Sequence, residues 1–422
     1  MSEPSKPDTA QPQRPKDRVV FIDQARTIAL IMMMAGHSLD QFLGEPWRSS
    51  QGYQEYQFFR GITSALFLMV SGFSFVVASF KYWDDYVRFS PRLFARLRRI
   101  GYILFFAYLL HLYGETLIAM FDWYTPKKLA GSLRFDVLQN IGFSLFLVHA
   151  MAFAVRKREH FWKAAAVLFV FVIGIAGITW DPAVDAALPH WLSPALNALP
   201  HNGRRSDFPL IPFTGFMLVG AFFAYWFWLL KQKGAEKKAI IAMVLTGAAF
   251  IGFEQVLWQV VARDEFLLPG NTFARCGSAM LVIGGLYFLE KKVVLLPRLS
   301  LTMSKDSLGI YVAQGVIIYG GTLGLLHEYK KGLPLPAVFA YIIVLVAVMA
   351  LLAFIISTTR NRFPDGVTRV RRTLILAWFI LFFAWPRSTW TAMAVSLALA
   401  ALFMYRRELL QLFLNLRKKI VQ

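Results

Sequence analysis

The chain has 422 residues, of which 57% are apolar and 16% aromatic, with a formal net charge of +20 and one cysteine. Its apolar residues fall in long blocks separated by short basic loops, which describes a polytopic membrane protein and excludes a soluble globular domain. The lone Cys276 excludes an internal disulfide framework and a cysteine-based metal cluster.

Residues 1–18, rich in Pro, Ser, Lys and Gln, read as a disordered lead without the apolar core of a signal peptide. Residues 19–405 predict an all-α bundle, with spans near 20–43, 58–80, 100–121, 137–155, 164–180, 209–230, 239–261, 276–289, 308–326, 337–358, 373–386 and 390–405. The expected number is about ten to twelve, because some spans are short and the last two can form a re-entrant pair. With the spans alternating in direction, segments on the N-terminal side hold 32 of the 45 Lys and Arg. The positive-inside rule then puts both termini in the cytoplasm. The charge is therefore mostly a topology signal and an attraction to anionic membrane lipid, not a sign of nucleic acid.

The first span, VVFIDQARTIALIMMMAGHSLDQFL from Val19 to Leu43, contains Asp23, Arg26 and His37. Arg26 and His37 are eleven positions apart, which returns them to nearly one helix face and separates them by roughly 16 Å along the axis. An ionisable group inside a span is costly and so marks a functional candidate. The competing reading has Arg26 snorkelling and pairing with Asp23, and His37 packed through a hydrogen bond. No HExxH metal motif or GxSxG elbow occurs, so His37 is the best acid/base candidate.

The pattern of Ile22-Asp23, Arg26, Ala29 and His37 resembles the opening signature of the acyltransferase-3 superfamily of membrane enzymes. SALFLMVSGFSF from Ser64, DVLQNIGFSL from Asp136, FPLIPFTGFMLVG from Phe208 and SLGIYVAQGVIIY from Ser307 resemble the related heparan-alpha-glucosaminide N-acetyltransferase-like branch. The resemblance implies transfer of an acyl group from acetyl-CoA or another acyl-CoA, without a metal, to a hydroxyl or amine of a sugar or glycan. It implies His37 and Asp23 as catalytic residues, with His37 either general base on the acceptor or carrier of the acyl group, Arg26, Arg96 and Arg99 as donor-binding residues, and a bacterial inner membrane as the location. A homodimer is compatible with this reading. The N-acetyltransferase-like branch commonly has Asn at the His37 position and its catalytic His in the following loop. Here that loop, GEPWRSSQGYQEYQ from Gly44, has no His, which favours the acyltransferase-3 arrangement. Thr27 stands where these families usually have Gly.

Small residues Gly61, Ser64, Ala65, Ser71, Gly72 and Ser74 predict that the second span packs centrally. At the start of the third, Arg92, Arg96 and Arg99 share one helix face, as a topology signal or as a phosphate clamp. His111 and Glu115, four apart, can bond one another, and a structural role is preferred for them. In the fourth span, the amides of Gln139 and Asn140 can hold a substrate or join helices, and His149 reads as packed. The outer segment from Asp181 to Asp207, with His201, Asn202, Arg204 and Arg205, can shape an acceptor site. Arg275 is a further substrate-binding candidate, with Glu254 as its expected ion-pair partner. Gln314 occupies a position where acyltransferase-3 sequences often have His, and an amide cannot shuttle protons at neutral pH. Arg48 or Arg60 can supply a cation near His37 for an acidic acyl group such as succinyl. The tail from Arg406 to Gln422 predicts an amphipathic interfacial helix with Leu409, Phe413, Leu416 and Ile420 on one face. The alternative class is a transporter or a non-catalytic membrane scaffold.

Overall fold

The computed structural model describes residues 18–111, 133–189, 191–199, 206–260, 271–293, 297–319 and 329–362. Among them the chain is helical with no strand, and extended segments meet at a single bridge between Leu43 and Leu333. The longer helices are α1 (Val20–Phe42), α2 (Gln51–Ser79), α3 (Pro91–His111), α4 (Val137–Val155), α5 (Phe161–Gly174), α6 (Leu210–Lys231), α7 (Glu236–Val260), α8 (Thr272–Glu290), α9 (Pro297–Lys305), α10 (Ser307–Tyr319) and α11 (Leu335–Arg362).

Among the described residues, six helical segments are long and apolar enough to cross a membrane: Gln51–Tyr86, Val137–Val155, Leu210–Lys231, Glu236–Gln259, Thr272–Glu290 and Leu335–Arg360. That is fewer than the ten to twelve spans expected. Helices are nevertheless present at α1, α3, α5 and α10, where spans were also predicted. Charged residues interrupt α1 and the Arg-rich start of α3, while α5 and α10 have only 14 and 13 residues. The predicted spans 373–386 and 390–405 and the tail lie outside the described residues.

The centre of the bundle is the contact of α2 with α6, the two most enclosed of the apolar helices. A methyl group at Gly72 would run into the Met217 carbonyl, and one at Gly220 into the Met69 carbonyl. Two glycines on facing helices thus let the backbones touch, the packing mode by which small residues join membrane helices. Around this contact, Phe21 of α1 meets Phe73, Phe227 and Tyr287 edge-on at centroid distances of 5.7, 5.5 and 5.4 Å. This aromatic knot fixes the N-terminal half of α1 against α2, α6 and α8.

The opposite end of α1 is tied by backbone. The amides of Lys331 and Leu333 donate to the carbonyls of Gln41 and Phe42 at 2.8 and 2.9 Å, and Gly44 donates back to Leu333 at 2.9 Å. Arg48 adds a bond from its guanidinium to the Asp40 carbonyl at 2.9 Å. The last-turn carbonyls of a helix have no partner within it, and here residues just before α11 supply one.

Candidate active site on the first helix

At the N-terminal end of α1, Arg26 donates to the Ser304 hydroxyl at 2.9 Å and to the Ser74 hydroxyl at 2.5 Å. Ser304 in turn donates to the Asp23 carboxylate at 2.6 Å, and Asp23 also pairs with Arg18. Arg26 and Asp23 are themselves 4.0 Å apart. The sequence-predicted pairing of Asp23 with Arg26 is therefore present in a longer chain of contacts, which joins α1 to α2 and α9. Thr27, one turn beyond Asp23, shares its hydroxyl between the Asp23 carbonyl of its own helix at 3.0 Å and the Ser300 carbonyl at 3.2 Å. The β-branched residue in the glycine's place thus serves the α1–α9 contact.

Asp23 and His37 are not brought together. Fourteen helical positions put them about 21 Å apart, at opposite ends of α1. In this geometry the contacts of Asp23 are with Arg18, Arg26 and Ser304, at the far end of the helix from the imidazole.

The arginines of α3 diverge. Arg99 is exposed, and its charge acts on Arg26. Arg96 instead lies over the Tyr86 ring at 5.6 Å and acts on His149, and Arg92 pairs with Asp85. Of the three donor-binding candidates, Arg26 is held by serines of two neighbouring helices, Arg99 is exposed, and Arg96 faces Tyr86.

At the other end, His37 is half-buried. Its Nδ1 faces the Gln314 side-chain oxygen at 3.2 Å, and its ring meets Tyr319 and Tyr311 edge-on at 5.4 and 6.4 Å. Among the described residues Nε2 has no hydrogen-bond partner and is not enclosed. The charged groups acting on the ring are Arg60, Asp136 and Asp40. Arg60 and Asp40 pair at 3.2 Å, and Arg48 is 3.9 Å from the same carboxylate.

Asp136, just ahead of α4, accepts a hydrogen bond from His111 Nε2 at 2.7 Å and pairs with Arg134 at 3.3 Å. Burial works to raise the Asp136 carboxyl, but the His111 hydrogen bond and the positive charge of Arg134 outweigh it and hold the group below the usual carboxylate range. Nothing in the local spacing marked this pair: the sequence suggested Glu115 for His111, and Glu115 lies outside the described residues.

Gln139 and Asn140 are both fully enclosed. Gln139 donates to the Ala107 carbonyl at 3.0 Å and accepts from the Asp136 amide at 3.2 Å. Asn140 donates to the carbonyls of Phe208 and Pro209 at 3.2 and 2.8 Å and accepts from Ser144 at 3.0 Å. Both amides therefore join helices, and neither presents a polar atom to a substrate. Asn140→Ala is expected to cost about 1–3 kcal/mol by leaving the carbonyls at the start of α6 without their donor. Thermal unfolding checks this, and lost activity at unchanged stability would return Asn140 to the acceptor site.

Arg275 sits against the backbone of α2 at Gly61. Its expected partner, Glu254, accepts instead from the Ala274 amide at 2.5 Å and the Trp258 indole at 3.2 Å. Among the described residues Arg275 forms no ion pair, and its buried Nε has no hydrogen-bond partner. His201, Asn202, Arg204 and Arg205 lie outside the described residues.

A family model described as an acyltransferase domain matches residues 19–358. No curated protein matches the chain. The matched region begins one residue before α1 and ends inside α11, so it takes in both ends of the α1 site and the described helices around it. With six apolar helices able to cross a membrane and this match over most of its length, the chain is a multi-pass membrane protein that belongs to the acyltransferase 3 family.

Proposed function

We propose that this acyltransferase takes an acetyl or other acyl group from acyl-CoA at the Arg26 end of α1. It passes the group to a hydroxyl or amine of a sugar-type acceptor at the His37 end, in a bacterial inner membrane. The observation that supports this most is the occupation of one helix. A cation anchored by two serines stands at one end, and a half-open imidazole with one held and one open nitrogen stands at the other.

The donor's phosphates are met by Arg99, which is exposed, backed by Arg26. Guanidinium groups suit this task because they pair with phosphate in bidentate fashion. Asp23 keeps Arg26 aimed. The pantetheine arm follows α1 toward His37, which brings the thioester to the imidazole.

There, His37 acts as general base. The acceptor oxygen or nitrogen attacks the thioester carbonyl carbon while its proton passes to the imidazole. The carbon–sulfur bond then breaks, and the departing thiolate takes the proton from the imidazolium. No residue is left modified.

Thermal unfolding of the detergent-purified protein with acetyl-CoA tests the donor half. A ligand at 100 times its Kd stabilises the folded state by about 2.7 kcal/mol. The wild type and His37→Ala are expected to be stabilised alike, and Arg99→Ala much less. If no acyl-CoA shifts the wild type, the transporter or scaffold reading takes first place.

A further inference from the structure

A neutral imidazole has one nitrogen that donates and one that accepts, and the partner of either nitrogen decides which is which. At His37 the partner is an amide whose own orientation is fixed. Gln314 is fully enclosed in α10, and its NH2 group donates to the Tyr311 carbonyl, one turn back on the same helix, at 3.1 Å. That bond turns the side-chain oxygen toward His37 Nδ1, 3.2 Å away. An amide oxygen only accepts, so Nδ1 must carry the proton. The lone pair is then on Nε2, the nitrogen with no partner among the described residues.

We infer that Gln314 is a positioning residue for acyl transfer: it holds neutral His37 in the Nδ1–H form and so assigns Nε2 as the nitrogen that removes the acceptor's proton. The role in transfer rests on the function proposed above, whereas the tautomer does not. Tyr311 and Tyr319, edge-on to the ring, limit its rotation about the bond to Gln314.

The choice of an amide has a chemical consequence. A carboxylate in this position would form an ion pair with the imidazolium and retain the proton. Gln314 has no charge to do so. The other groups acting on the ring are engaged elsewhere: Asp40 of α1 with Arg60 of α2, and Asp136 ahead of α4 with His111 and Arg134. The proton taken from the acceptor by Nε2 is therefore free to pass to the thiolate when the carbon–sulfur bond breaks.

Nuclear magnetic resonance of protein labelled with ¹⁵N-histidine tests the tautomer directly, with the His37 signals identified by their absence in His37→Asn. At a pH where the ring is neutral, the wild type is expected to show a protonated Nδ1 and a bare Nε2. Gln314→Leu is expected to lose that signature. It should also lower kcat about 10–100-fold for acetyl transfer from acetyl-CoA to hydroxylamine, with the KM for acetyl-CoA unchanged. Gln314→His, whose bare nitrogen can accept the same bond, should restore both signature and rate. A wild-type ring protonated on Nε2 in an active enzyme overturns the Gln314 assignment alone, and so does an unchanged kcat in Gln314→Leu. A ring protonated on Nδ1 in a protein with no acetyl-CoA turnover overturns the transfer reading and Gln314's part in it.

Discussion

Replacing His37 with alanine is expected to lower acyl transfer by about 10²–10⁴-fold, the range a positioned general base supplies, with little change in stability or donor binding. His37 is half-buried, and among the described residues its hydrogen bond is to Gln314, so removing the ring leaves a small polar vacancy that water can fill. The aromatic knot and the serine contacts that seat α1 all lie at its other end. The measurement is the rate of acetohydroxamate formation from acetyl-CoA and hydroxylamine, beside the thermal shift with acetyl-CoA. Full turnover in His37→Ala would remove the imidazole from the mechanism. A loss of turnover together with a collapse in melting temperature would make it a packing residue.

Gly220→Leu is expected to cost about 3 kcal/mol or more and to yield little folded protein. The obstacle is backbone: the added side chain would start against the Met69 carbonyl, with the Met69 Cα at 2.9 Å. A flexible side chain could turn aside, but the main chain of a central helix can move only by separating α2 from α6. Gly52, in the first turn of α2, has nothing within 4 Å of the same position, so Gly52→Ala should purify and melt like the wild type. Size-exclusion profiles and melting curves of the two variants decide the matter. A well-behaved Gly220→Leu would mean that α2 and α6 are not in contact there.

The helices were largely legible because their signal is local. Apolar runs announced α2, α4, α6, α7, α8 and α11, and the small residues of the second span announced its central place. Arg26 and His37 stood out because charge within an apolar run has few innocent explanations. Their partners did not, since no spacing rule connects His37 to Gln314 across 277 positions, or Arg26 to Ser304 across 278. Gln314 could be seen in sequence only as an amide unable to shuttle protons. Its use, as an acceptor that orders the ring, depends on where α10 lies. The same limit explains His111, whose partner Asp136 stands 25 positions further along the chain. It also explains Arg275 and Glu254, opposite charges that satisfy different needs.

The backbone tie between the end of α1 and the residues before α11 bears on how this protein is made. Translation and membrane insertion proceed from the N-terminus, so α1 leaves the ribosome before α10 and α11. Yet the carbonyls of Gln41 and Phe42 wait for Lys331 and Leu333, and His37 waits for Gln314. A nascent chain that stops short of these residues holds the motif without its geometry. These contacts are complete only when about four-fifths of the 422 residues have been synthesised.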